Sequence, residues 1–95
     1  MVIPEGVQEI GEQWFENSHV ESVALPASVM AIESEAFRGC KGLRRVEFAA
    51  GSKLEKIGFG CFSGSGLIEL SFPEGLTEIG AEAFDDCVNL KTVWV

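Results

Sequence analysis

The stretch LPASVMAIESEAFRGCKGLRRVEF, residues 25–48, decides the fold because its pattern returns as FPEGLTEIGAEAFDDCVNLKTVWV at residues 72–95. Aligned on phenylalanine, the 95-residue chain has four equivalent positions, spaced 22, 25 and 22 residues apart. An isoleucine stands five residues before each of them, and an aliphatic residue three before that. The phenylalanines are Phe15, Phe37, Phe62 and Phe84. The chain is therefore a four-unit array with a period of about 23 residues.

The end of each unit favours a short β-strand, because apolar residues alternate there with polar ones. The predicted strands lie at residues 20–25, 43–48, 67–72 and 90–95. Stacking of the units would place these strands side by side in one parallel sheet. The small residue before phenylalanine, such as Ala36 or Ala83, predicts one helical turn in each unit.

One unit of about 23 residues is too small to bury its own isoleucine, phenylalanine and leucine side chains. Stacked units can bury them, because each position then forms a continuous column of like side chains. We therefore expect a single solenoid domain over residues 1–95 that is mainly β. Its units are predicted at about 2–25, 25–48, 48–72 and 72–95.

Glycine follows the isoleucine in three units, as Gly11, Gly58 and Gly80. We expect a bend at this position in which the backbone φ turns positive. Glu33 holds the same position in the second unit, so a positive φ is not obligatory there. The third unit is longer than the others because residues 49–53 replace a shorter turn that begins with proline.

The pattern I-P-x-x-V-x-x-I-G-x-x-A-F-x-x-C-x-x-L-x-x-V resembles the BspA-like, Treponema-type leucine-rich repeats. The resemblance extends over essentially the whole chain, with departures at Glu33 for glycine and at Ser18 and Ser65 for cysteine. It implies a leucine-rich-repeat solenoid with short parallel strands. It also implies a non-catalytic, protein-binding or adhesive role, commonly on surface proteins of bacteria and protists.

The composition limits the classes of partner. Fifteen acidic residues against seven basic ones give a net charge of -8, which argues against binding to nucleic acid or anionic membranes. No apolar run reaches the roughly 18 to 20 residues of a membrane span. The first residues, 1–6, lack the basic flank of a signal peptide. We therefore expect a cytoplasmic chain, or a cell-surface location if it belongs to a longer secreted protein.

The charge is unevenly distributed along the chain. Residues 1–35 contain seven glutamates and no lysine or arginine, and residues 58–95 contain six acids against one lysine. Residues 36–57 contain six basic residues against two glutamates. The array thus has a basic belt between two acidic ends.

No residue set predicts catalysis, a metal or a cofactor. Cys40 and Cys87 lie two units apart, roughly 9 to 10 Å on the spacing of strands, which is too far for a disulfide. Cys61 lies in another phase of the repeat, so we expect three reduced, packed thiols. His19 is interpreted as a surface-loop residue, and the Asp85-Asp86 pair as a solvated turn.

The outward face of the predicted sheet is the candidate recognition surface, because arginine and tryptophan are enriched at binding hot spots. Its predicted residues are Arg44, Arg45, Ile68, Glu69, Lys91, Thr92 and Trp94. Stacking would also place Glu21 beside Arg44 and Glu69 beside Arg45. Such cross-strand pairs would fix the register without any partner, and the sequence leaves both interpretations open.

Two functions remain in competition. The first is a protein-binding or adhesion module, a part of a longer surface array, that binds a protein partner through the outward face. The alternative is a structural segment that forms a homo-oligomer through the open ends of the solenoid, where no polar cap is predicted. An enzyme is not expected, since the sequence offers no nucleophile and base, metal set or phosphate loop.

Overall fold

The computed structural model describes residues 1–94 and, over 92–94, the course of the backbone alone. The described chain is a stack of coils built from eight short parallel strands. They are β1 (Glu9–Ile10), β2 (Ser22–Leu25), β3 (Ala31–Ile32), β4 (Arg45–Phe48), β5 (Lys56–Ile57), β6 (Glu69–Ser71), β7 (Glu78–Ile79) and β8 (Thr92–Trp94). The repeat thus yields a solenoid, as its period predicts.

Each unit contributes two strands, one to each side of the solenoid. One side is a continuous four-stranded sheet in the order β1-β3-β5-β7, in which Ile10, Ile32, Ile57 and Ile79 lie in register. These strands come from the V-x-x-I segments, where no strand was predicted. The other side contains the strands that the sequence predicts at the end of each unit.

The prediction of one continuous sheet at the unit ends is wrong. That side is divided into two pairs, β2-β4 and β6-β8. The sole backbone hydrogen bond from the β4 segment to the β6 segment in the described residues runs from Ile68 N–H to Arg44 O, at 3.4 Å. Beyond this bond the ladder stops, and the sheet is open between the second and third units.

Two features of the local sequence accompany the opening. Ala49 N–H continues the β2-β4 ladder past the end of β4 by donating to Leu25 O at 3.1 Å. Pro73 holds the equivalent position after β6 and has no N–H to donate. The longer turn at residues 49–53 is bonded instead to the preceding unit, through Lys53 N–H and Ala27 O at 3.0 Å.

The predicted helical turn is also wrong, because the described residues contain no helix. The segment around each phenylalanine is a chain of β-turns. In it, backbone hydrogen bonds from residue i to residue i−3 alternate with backbone hydrogen bonds to the next unit. In the first unit Trp14 N–H donates to Gly11 O at 3.3 Å, and Phe15 N–H donates to Ala36 O in the next unit at 2.9 Å.

Left-handed backbone conformations in the turn chain prevent it from becoming a helix. Two residues of the turn chain in each unit have positive φ, and they lie four residues apart. They are Gln13 and Asn17, Glu35 and Gly39, Gly60 and Gly64, and Glu82 and Asp86. Each interrupts the right-handed turns that a helix requires.

Gly11, Gly58 and Gly80 do not adopt the predicted positive φ. Two of them are needed for close approach between units instead. A Cβ at Gly58 would lie 2.6 Å from Ser34 N, and one at Gly80 would lie 2.5 Å from Phe59 N. The absence of a side chain therefore lets consecutive coils approach to hydrogen-bonding distance.

The core consists of columns of equivalent side chains, as predicted. The four phenylalanine rings of the repeat are stacked, with centroids 5.3, 5.5 and 5.8 Å apart and interplanar angles of 15°, 6° and 9°. Phe37 and Phe62 are fully buried in the two central units. Phe15 and Phe84 are partly buried at either end of the stack.

A partly buried polar column lies beside the phenylalanines. The Cys40 thiol donates to Phe15 O, and the Cys87 thiol donates to Phe62 O, each at 3.0 Å. Ser18 and Ser65 alternate with these cysteines and contact their sulfurs at 3.5 and 3.4 Å. Serine and cysteine thus share one column because each supplies a small hydrogen-bonding side chain.

Candidate protein-binding face

The structure places Arg45 and Glu69 on the outward side of their strands, as alternation predicts. Arg45 and Glu47 are exposed neighbours on β4, and their side chains form an ion pair at 3.5 Å. The register aligns Ser22 with Arg45, so Glu21 is beside Arg44 as expected. No carboxylate of the described residues, however, lies within 4.0 Å of Arg44, and Arg45 pairs within its own strand.

Arg44 has a structural role that sequence reasoning missed. Its Nη1 donates to Lys41 O at 2.8 Å and to Gly66 O at 3.3 Å. The guanidinium thereby joins the loop before β4 to the loop before β6. The close approach requires glycine at position 66, because a Cβ there would collide with the backbone carbonyl of Lys41 as well as with the Arg44 side chain.

Two clefts lie along the opening between β4 and β6. A cleft of about 210 Å³ is lined by Arg45, Val46, Glu69, Leu70 and Ser71, which brings two predicted site residues together. A second cleft of about 740 Å³ lies at the strand ends, between the turns that follow β4 and β6. Its polar side chains include Glu47, Ser71 and Glu74, and its apolar ones include Phe48, Phe72 and Pro73.

Two further predicted site residues, Ile68 and Lys91, do not line these clefts. Ile68 is 41% exposed, and its carbonyl accepts a 2.7 Å hydrogen bond from Lys91 N–H. Lys91 is exposed at the start of the last strand. Thr92 and Trp94 belong to β8, but their side chains fall outside the described part of the structure.

Ion pairs neutralise part of the basic belt. Arg38 pairs with Glu35 at 2.7 Å, and Lys56 pairs with Glu33 at 3.6 Å. With Arg45 and Glu47, three of the six belt cations have a carboxylate partner. Lys41, Arg44 and Lys53 have none within 4.0 Å among residues 1–94.

The cysteine and histidine positions do not form a reactive centre. All three cysteines are free thiols, and burial raises the pKa of the Cys61 thiol well above its ordinary range. A thiol held in the protonated form is a poor nucleophile. Within residues 1–94, no group of three histidine, cysteine or acidic residues is placed to hold a metal ion.

The described residues also include no helix long and apolar enough to cross a membrane.

Parallel strands, turn chains and ladders of isoleucine and phenylalanine define a repeat protein of the solenoid class. The sequence profile of the BspA type leucine rich repeat region (6 copies) matches residues 1–95. The chain therefore belongs to the BspA-type leucine-rich repeat family, which confirms the resemblance, and the match indicates no catalytic family. Comparison with curated proteins gives no significant match.

Solved structures confirm the leucine-rich-repeat fold. The pneumococcal vaccine antigen PcpA is 30% identical over 98% of this chain, with a TM-score of 0.88. A leucine-rich repeat protein from Bacteroides capillosus is 29% identical over 98%, with a TM-score of 0.77, and the match covers 73% of that chain. A leucine rich cell surface protein from Faecalibacterium prausnitzii is 26% identical over 98%, with a TM-score of 0.61. The chain spans 27% of PcpA and 34% of the Faecalibacterium protein.

Proposed function

We propose that this chain is a protein-binding module that receives its partner at the opening between β4 and β6. The supporting observation is the interrupted ladder, in which a single 3.4 Å bond joins the two strand segments. Backbone amides and carbonyls that are not used within a sheet are available to a partner's backbone or side chains. Arg45 and Glu69 flank the opening and offer opposite charges to the partner.

The surroundings of the opening favour a partner of mixed character. Arg45 supplies a cation, Glu47 and Glu74 supply carboxylates, and Phe48 supplies partly buried aromatic surface. Such a combination of arginine, aromatic and hydrogen-bonding groups is typical of the central part of protein interfaces. Ile68, Lys91, Thr92 and Trp94 would form the outer part of the same surface. Arg44 would support it by holding the two loops together.

We further propose that the chain is one domain of a longer, non-catalytic surface protein with an adhesive role. The family supports this proposal, as do relatives described as a vaccine antigen and a cell surface protein. Within that domain the repeat units would extend over residues 2–25, 25–48, 48–72 and 72–95.

Arg45→Glu tests the proposed face. Arg44 is unsuitable for this test because its hydrogen bonds to Lys41 O and Gly66 O contribute to folding. Random peptides displayed on phage would first be selected for binding to the unmodified chain. Arg45→Glu is expected to weaken the selected peptides about tenfold, since a hot-spot arginine contributes about 1 to 2 kcal/mol.

Arg38→Glu is the matched control, because Arg38 is also an exposed arginine paired with a glutamate of its own unit. It lies on the turn chain and is expected to leave binding unchanged. Circular dichroism would establish that both variants are folded. Equal affinity of the Arg45→Glu and Arg38→Glu variants would contradict the proposed face.

A second function, self-association through the ends, is supported by the exposure of apolar columns there. Ile79 is 46% exposed although Ile10, Ile32 and Ile57 of the same column are fully buried. Both terminal segments are acidic, so their mutual repulsion should be relieved by salt. Light scattering after size exclusion, at low and high salt, measures this directly. A mass that increases with protein concentration and salt would favour assembly, whereas a constant monomer mass would exclude it.

A further inference from the structure

A depression of about 500 Å³ lies between the first and second units, on the side of Arg44 away from the clefts described above. Its lining includes Ser18, His19 and Glu21 from the first unit and Lys41, Gly42 and Arg44 from the second. Two of the three belt cations without a carboxylate partner are therefore brought to one place. The third, Lys53, does not line it.

The Arg44 guanidinium is fixed by two hydrogen bonds to backbone carbonyls. Its two side-chain hydrogen bonds both use Nη1, which leaves Nε and Nη2 as donors. A guanidinium fixed by backbone carbonyls loses less side-chain entropy on binding than a mobile one would. Arg44 can thus bind an oxyanion while it continues to join the two loops.

The backbone supplies a further donor at the same place. Gly42 N–H makes no hydrogen bond to any residue in the described part of the chain. It stands between Lys41 and Arg44 in the sequence, and Gly42 is partly exposed. The ammonium, the guanidinium and this amide together are a donor set suited to an anion with several oxygens.

We propose that this depression binds a sulfate or phosphate group. Glu21 lines the depression with a carboxylate, so the site combines two cations with one anion and its affinity for a free ion should be modest. The group could come from an inorganic ion or from a sulfated sugar, which offer the same oxyanion chemistry. The site is separate from the opening between β4 and β6, and neither proposal depends on the other.

Titration of the isotopically labelled chain with sodium sulfate, sodium phosphate or a sulfated disaccharide tests the proposal. Ionic strength is kept constant with sodium chloride, and amide resonances are followed by NMR. Saturable shifts of Gly42 and its neighbours are expected with all three oxyanions and not with chloride. Tighter binding of the disaccharide than of inorganic sulfate would identify a sugar ester as the preferred source, and the reverse order would identify the free ion.

Lys41→Gln and Lys53→Gln remove the same charge from two exposed lysines of the belt. Lys41→Gln should weaken sulfate binding at least about fivefold, in line with the loss of one charge-assisted hydrogen bond, whereas Lys53→Gln should leave it unchanged. Shifts that increase linearly without saturation, or equal effects of the two substitutions, would overturn the proposal. Because both lysines make no side-chain hydrogen bond or ion pair in the described residues, both variants should fold.

Discussion

Phe62→Ala is expected to lower the free energy of unfolding by about 3 to 5 kcal/mol, the usual cost of removing a buried phenylalanine. Phe62 is fully buried, and its ring lies between those of Phe37 at 5.5 Å and Phe84 at 5.8 Å. Its removal leaves a cavity in the centre of the column, where units on both sides are fixed by backbone bonds and cannot collapse into the space. Urea denaturation followed by circular dichroism measures the loss.

Phe84→Ala is the matched control, because Phe84 occupies the same column in the last unit and is only partly buried. Its loss should cost less, since its ring stacks on Phe62 alone, makes only a tilted contact with Phe72 at 5.8 Å, and is less enclosed than that of Phe62. If Phe62→Ala proves unfolded in buffer, Phe62→Leu provides a milder truncation for the comparison. Equal costs at positions 62 and 84 would contradict a ladder whose stability comes from stacking on both faces.

The columns of the core could be predicted because they depend on spacing alone. Ile32 and Phe37 have equivalents in every unit, with the isoleucine always five residues before the phenylalanine. Stacking of the units then brings like residues together in any solenoid of this period. The turn chain could not be predicted in the same way. Gln13, Glu35 and Glu82 adopt positive φ although glutamine and glutamate rarely favour it, so composition gives no signal there.

The opening between β4 and β6 has a partial signal in the sequence. Residues 49–53 lengthen the third unit, and Pro73 removes a donor at the position where Ala49 continues the neighbouring ladder. The choice of ion-pair partner had no such signal. Arg45 pairs with Glu47 although Glu69 lines the same cleft, and side-chain geometry rather than the order of residues decides between them.

Gly58→Ala is expected to destabilise the chain by about 3 kcal/mol, at the upper end of the usual range for overpacking, because the obstacle is backbone. The added Cβ would lie 2.6 Å from Ser34 N and 2.8 Å from Glu33 C. Gly58 N–H also donates to Ile32 O at 2.8 Å, so moving the units apart to admit a methyl group would break a bond of the β3-β5 side. Thermal and urea unfolding would both show the loss.

Gly11→Ala is a control in the same column of the repeat. There the added Cβ would meet the indole of Trp14, which is 58% exposed and can rotate away, so a cost below about 1 kcal/mol is expected. Gly42→Ala is a second control, because its Cβ would meet only Val20 O at an ordinary 3.9 Å. If Gly58→Ala were as stable as these two variants, close backbone approach would not be the reason for glycine after the isoleucine. Intrinsic backbone preference would then be the remaining cause. In that case alanine at Gly11, Gly58 or Gly80 should lower the free energy of unfolding by similar amounts.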